Sequence, residues 1–195
     1  MIRTLLGMLA VLIVAGSAAA GPLDGPGATK ALTCSACHGA AGQSPSNTIP
    51  HLAGILPAYF KKAIEDYATG KRTSPEMEPY AKMVRVLGVD EVAAYFAAQT
   101  RQPGPARGDA ATLERGRQAA AQCALCHGPD GRGDPAKVIP DLRGQPSGYL
   151  RSQMLLFKTD KRSPGDPNLK AVKALMATIP DETFDDLAAY FSSQK

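Results

Sequence analysis

The sequence predicts an all-α protein built as two homologous helical units. Three observations predict it. Four landmarks recur in one order at nearly one offset. The paired Cys34/Cys37 with His38-Gly39 reappear 89 positions later as Cys123/Cys126 with His127-Gly128, and Ile49-Pro50-His51-Leu52-Ala53-Gly54 reappears 90 later as Ile139-Pro140-Asp141-Leu142-Arg143-Gly144. Lys71-Arg72 is echoed by Lys161-Arg162 at 90, and Ala93-Ala94-Tyr95-Phe96 by Ala188 to Phe191 at 95. Apolar residues fall at helical spacing within both copies, and no period-2 strand pattern is evident. Finally, units of about 80–90 residues with long Gly/Pro loops bury little apolar surface alone, so something must staple them.

Taken in order, the chain opens with a short basic start around Arg3, an apolar run from Leu5 to Val14 and small residues at Ala18 to Ala20. Residues 1–20 therefore read as a secretory signal peptide, cleaved before Gly21, with an apolar core too short for a membrane span. The first unit is 21–100. Within it Leu56 to Thr69 carries Tyr59, Ala63 and Tyr67 at helical spacing and stops at Gly70, and Val89 to Gln99 is a closing helix with acidic residues in its first turn. Residues 101–108, rich in Pro and Gly, form a linker. The second unit, 109–195, begins with an Ala-rich helix over 109–122 that runs into the second Cys motif. A helix from Ser147 to Thr159 follows, with Leu150, Met154 and Phe157 on its apolar stripe, and Asp181 to Gln194 closes the unit.

Composition narrows the function. The chain has 195 residues, 44% hydrophobic and 21% charged, which is soluble-globular usage. Its 22 basic and 18 acidic residues give +4, or about +3 without the signal segment, too small and scattered an excess for nucleic acid. Three His exclude a mechanism that needs many imidazoles.

The Cys-x-x-Cys-His motifs carry the chemistry. Two thiols three positions apart at a helix end can reach both vinyl-derived carbons on one porphyrin edge, and the adjacent His then faces the iron. Disulfides would not place His after both pairs, and the separation of about 85 residues is far beyond that of a zinc ribbon. A thioredoxin-like pair would want strands. The expectation is two covalent haems c, held by Cys34, Cys37, Cys123 and Cys126 with His38 and His127 on the irons. The cofactor is then the missing staple.

Soluble carriers commonly pair His with Met, which raises the potential. His51, the spare imidazole, has Asp141 as its counterpart and reads as a surface or loop histidine. Met154 reads as core. Met77, Met83 and Met176 lie between the Lys-Arg segments and the closing helices, where a loop could cross the distal face. Met77 and Met83 stand 19 and 13 residues before Phe96, and Met176 stands 15 before Phe191. The internal comparison does not decide between the first two.

These residues resemble a known family, diheme cytochromes c of the cytochrome c4 type. The resemblance rests on the paired Cys-x-x-Cys-His-Gly motifs, the Ile-Pro-x-Leu-x-Gly segments, the Tyr-Phe and Tyr-Leu helices and the Ala-Ala-Tyr-Phe closing helices, over roughly residues 24–195. It implies two tandem class I cytochrome c domains, each wrapped around one covalent haem, with the haems facing a shared interface. It also implies that the distal ligand of the first haem is Met77. The same count in the second unit lands on Val172, so Met176 is the nearest replacement, with a vacant second iron as the alternative. The resemblance further implies that the carbonyls of Pro50 and Pro140 accept from Nδ1 of His38 and His127.

The function expected is a periplasmic, monomeric electron carrier, not an enzyme, with at most loose association with the membrane surface. Through the resemblance its donor is a respiratory bc1-type complex or a dehydrogenase, and its acceptor a terminal oxidase. Lys61, Lys62, Lys71 and Arg72, and Arg151, Lys158, Lys161 and Arg162, are candidate docking patches. The alternative is an electron-accepting subunit of, or itself, an oxidoreductase acting on sulfur compounds, alcohols or peroxide, with one open haem.

Overall fold

The structure, a computed structural model, describes residues 25–102 and 107–195. The signal segment and the middle of the linker lie outside these residues. Among the described residues nine α-helices run in chain order. In the first half they are α1 (Ala28–His38), α2 (Pro57–Ala68), α3 (Met77–Leu87) and α4 (Val89–Ala97). In the second they are α5 (Ala110–Ala119), α6 (Ala124–His127), α7 (Ser147–Lys158), α8 (Lys170–Thr178) and α9 (Asp181–Ser193). Among the described residues the only β-type pairing consists of two isolated bridges, Arg72 with Arg162 and Asp134 with Ile139.

The expected helices at 56–69, 89–99, 147–159 and 181–194 are α2, α4, α7 and α9. The Ala-rich segment before the second Cys motif is less regular than expected: α5 stops at Ala119, a 3₁₀ turn spans Ala120–Gln122, and α6 carries the motif. The segments holding Met77, Met83 and Met176 are not loops but the helices α3 and α8. Pro75 and Pro79 hide α3 in the sequence. Pro79 falls in its first turn, where the missing N–H costs nothing, and Ala81 and Val84 supply its buried face.

The repeat persists as geometry. Gly27 and Gly116 occupy equivalent positions, seven before the first Cys of each motif. An ideal Cβ on Gly27 would lie 2.3 Å from the Glu91 carbonyl oxygen, and one on Gly116 would lie 2.2 Å from that of Asp186. Each glycine thus lets the motif-bearing segment touch the backbone of its closing helix. The loop after each motif is tied to the same helix. The Gly54 N–H donates to Phe96 O at 2.9 Å, and the Gly144 N–H donates to Phe191 O at 2.9 Å.

Two hydrophobic clusters form the core. One gathers Leu52, Phe60, Ile64, Val84, Val92 and Phe96 from the first half, with smaller neighbours. The other gathers Leu150, Ile179, Phe184, Leu187, Ala188 and Phe191, with Met154 and Met176 packed against it.

Between the halves lies a contact with approximate two-fold character. Arg72 pairs with Arg162, its own repeat equivalent, in the antiparallel bridge. Arg72 Nη2 donates to the Tyr149 hydroxyl at 3.2 Å, and Arg162 Nη2 donates to the Tyr59 hydroxyl at 2.8 Å. Arg72 stacks over Tyr67 at 4.6 Å and Arg162 over Phe157, the residue equivalent to Tyr67, at 4.3 Å. Reciprocal contacts of this kind are what a self-complementary interface requires.

Candidate haem sites

Each Cys-x-x-Cys-His motif ends a helix, and each helix ends the same way. Gly39 and Gly128 follow the histidines with φ of 75° at both, a conformation open to glycine. The chain therefore turns away directly after His38 and His127. None of the four cysteines is paired in a disulfide; Cys37 and Cys126 are exposed and Cys34 and Cys123 partly buried. Burial pushes the Cys34 thiol up and the Cys123 thiol up to about 11.

Both histidines are oriented by a carbonyl. His38 Nδ1 lies 2.9 Å from Pro50 O, and His127 Nδ1 lies 3.0 Å from Pro140 O. A carbonyl only accepts, so Nδ1 carries the proton and Nε2 keeps its lone pair. Burial lowers the pKa of both rings, against the carbonyl bond that raises it. A neutral imidazole with a free Nε2, beside two thiols on one helical turn, is a donor set that fits a covalently held haem iron.

A second observation fits the same group. Arg72 is 5% exposed, and its guanidinium and that of Arg162 both donate to Gln153 Oε1, at 2.7 and 2.8 Å. Among the described residues the hydrogen-bond partners of both guanidiniums are neutral. Two like charges against one amide oxygen, Arg72 buried and Arg162 half-buried, call for an anion. Burial disfavours the Tyr59 phenolate, yet Arg162 and Arg72 outweigh it and bring the hydroxyl down to about 8. A haem carries carboxylates, which are the counter-charge this pair needs.

The structure places Met77 as the first residue of α3 and Met83 and Met176 within α3 and α8, all partly buried. His51 is not on the surface. It sits in a loop but is 3% exposed, its Nδ1 accepting from the Ser44 N–H at 2.9 Å. Burial, with Arg101 and His38 adding to it, pulls its pKa down to about 4.

The docking patches also need correcting. Arg72 and Arg162 belong to the contact between the halves rather than to an open face. Lys61 pairs with Asp90, Lys62 with Asp66, Arg151 with Asp185 and Lys158 with Asp181. Lys71 and Lys161 are exposed. Reading the sequence missed Gln145, Gln153 and Asn47, which join the halves from the residue stretch just before α7, from α7 itself and from the first unit's loop. Asn47 Oδ1 accepts from Ser147 Oγ at 3.1 Å, and Gln145 holds the His51 backbone. Their signal was a departure from the repeat: polar residues at 145 and 153 stand where Ile55 and Ala63 stand in the first unit.

Comparison with known proteins bears on this geometry. A cytochrome c family model matches residues 113–195. Cytochrome c4 of Pseudomonas aeruginosa is 33% identical over 95% of this chain and 92% of its own. The thiosulfate dehydrogenase electron acceptor of Stutzerimonas stutzeri is 30% identical over 84% of this chain and 79% of its own. The crystal structure of reduced cytochrome c4 from Pseudomonas stutzeri superposes with a TM-score of 0.75 at 28% identity, covering 86% of this chain and 96% of that one.

Proposed function

The chain belongs to the cytochrome c4 family of diheme electron-transfer cytochromes with covalently attached haem c, and from that premise we propose which residues hold its haems and which exchange they serve. Cys34 and Cys37 carry one haem through thioethers, and Cys123 and Cys126 carry the other. His38 and Met77 would ligate the iron of the first haem, and His127 and Met176 that of the second. The observation that carries this reading is the matched pair of bonds from His38 to Pro50 and from His127 to Pro140.

One-electron oxidation and reduction is the chemistry that a haem supplies when bound. The chain's own residues set its conditions. The Pro50 and Pro140 carbonyls fix the plane of each imidazole and raise its basicity. The Met77 and Met176 thioethers, as ligands, would favour the reduced state. Arg72 and Arg162, at the contact between the halves, would supply counter-charge to the haem carboxylates. The Phe96 and Phe191 carbonyls anchor each loop to its closing helix. In this reading the domains are 21–100 and 109–195, joined by 101–108.

The protein then works as a carrier rather than an enzyme. It takes electrons from a bc1-type complex or a dehydrogenase and passes them to a terminal oxidase. Residues 1–20 supply export to the periplasm, and no helix among the described residues is long and apolar enough to cross a membrane. One observation favours a second reading, as the electron acceptor of a sulfur-oxidising dehydrogenase. A relative bears that name, and Val172 stands where the first unit's count would put the second methionine.

The test is spectroscopic. The oxidised protein shows a near-infrared sulfur-to-iron band worth two haems, and the reduced protein does not bind carbon monoxide. A band worth one haem, with carbon monoxide bound by the other, selects the second reading. Met77→Ala and Met176→Ala each remove half of the band. A band left whole by Met77→Ala and halved by Met83→Ala moves the first distal ligand to Met83.

A further inference from the structure

The two histidine–carbonyl bonds are not equivalent, because only one is continued into the other half of the molecule. The peptide unit that ends in Pro50 O begins the next residue with the His51 N–H. That N–H donates to Gln145 Oε1 at 2.9 Å, and Gln145 Nε2 returns a bond to His51 O at 3.0 Å. Gln145 belongs to the second half, just before α7, and is 6% exposed. A continuous chain therefore runs from His38 Nδ1–H through the Pro50–His51 peptide to the Gln145 amide. Hydrogen bonds in such a chain polarise one another: donation by the N–H makes the same peptide's carbonyl a better acceptor. In the second half Pro140 O accepts from His127 in the same way, but the repeat puts Ile55 opposite, whose side chain has neither donor nor acceptor.

We propose that Gln145 is a positioning residue through which the second unit tunes the proximal histidine of the first, a control that the first unit does not exert in return. The inference rests on the reading of His38 as an axial ligand. A better-accepting Pro50 carbonyl makes the His38 imidazole a stronger electron donor, which favours the oxidised iron and lowers that haem's potential. The first haem is thereby set low only while the two halves are docked. Loss of the Gln145 clamp raises it, whereas the second haem keeps its value. The asymmetry gives the pair a direction that the sequence repeat alone does not contain.

The test is an equilibrium redox titration of the full-length, two-haem protein, following both couples in the visible spectrum. His38→Ala first identifies the first-unit couple by collapsing its low-spin spectrum. Gln145→Met keeps the volume and removes both bonds. It raises the first couple's potential by about threefold in the oxidised-to-reduced equilibrium, roughly 30 mV on the scale of 59 mV per tenfold for one electron, and leaves the second couple in place. Gln145→Asn, whose amide is one carbon short of His51, shifts the first couple in the same direction if the methionine variant folds poorly. Asn47→Ala removes the bonds to Ser147 and Gly148 but not the Gln145 clamp, and moves neither couple. The proposal is overturned if the Gln145 variants leave the first couple unmoved, if they shift both couples equally, or if Asn47→Ala reproduces their effect. An intact pair of couples in His38→Ala overturns instead the ligand reading on which the proposal stands.

Discussion

The two halves of the molecule share their fixed points and differ in what surrounds them. Both place a glycine against a carbonyl of the closing helix, both turn at a glycine after the histidine, and both aim Nδ1 at a proline carbonyl. Around those points the first half has one unbroken helix, α1, bearing its motif, and its side-chain core holds eleven buried residues. The second half breaks the same segment into α5, a 3₁₀ turn and the four-residue α6, and its core holds six. In α3 Ala81 and Val84 are buried, whereas no residue of α8 is. The constant features are those proposed to hold and orient the haem, and the variable ones are those that stabilise the shell. The second half must lean harder on its cofactor.

The largest expected effect tests that dependence directly. Cys123→Ala with Cys126→Ala leaves one covalent haem per chain and unfolds much of the second half, seen as a large loss of far-ultraviolet helical signal. Cys34→Ala with Cys37→Ala also leaves one haem, but α2, α3 and α4 retain their mutual packing and the helical loss is smaller. Equal losses from the two double variants would erase the distinction between the cores.

A smaller effect sharpens the shared feature. Gly116 has no left-handed backbone requirement, so Gly116→Ala on an open helix would stabilise by about 1 kcal/mol. Here the new methyl would sit 2.2 Å from Asp186 O and 2.7 Å from Tyr190 Cβ, pushing α5 off α9. The expected outcome is a loss of about 3 kcal/mol, measured as a lowered urea midpoint. A stabilised variant would show that the contact between α5 and α9 is not tight. Gly27→Ala meets the same obstacle at Glu91 O with φ of +83° added, and costs at least as much.

Much of this was legible in the sequence, for identifiable reasons. The Cys-x-x-Cys-His motifs, the 90-residue offset and the apolar spacing of α2, α4, α7 and α9 are local patterns, readable in a window of a dozen residues. The hidden helices were α1, which follows a Gly/Pro-rich start, and α3 and α8, whose approaches contain prolines. The burial of Arg72 and His51 was not legible, because their partners Tyr149, Gln153 and Gln145 lie 77 to 94 positions away. A clue was nonetheless present. Tyr59 and Tyr149, and Tyr67 and Phe157, recur at the same offset as the arginines, which a solvated patch would not require.

The smallest effect concerns the one imidazole that has no repeat partner. His51 is neutral in the folded protein, with a pKa of about 4 set first by burial and then by Arg101 and His38. Unfolding releases it to the ordinary value near 6.5. Between those values the unfolded chain binds the extra proton, so stability rises with pH there and is fully present above about 6.5. As the pH falls from 7 to 4 the His51 contribution is lost progressively, on the order of 2–3 kcal/mol at 1.36 kcal/mol per unit, and below 4 it falls no further. His51→Gln retains an acceptor for the Ser44 N–H and removes the titration. Urea midpoints at pH 7 and pH 4.5 should therefore converge between parent and variant at the acid end, with the parent losing more on the way down. His38 and His127 are present in both proteins, so the difference isolates His51. A parent and variant that lose stability in parallel would mean that the acid sensitivity lies elsewhere. Asp141 stands in the same place in the second half but pairs with Arg143 at 2.7 Å, so the acid effect belongs to the first half's imidazole alone.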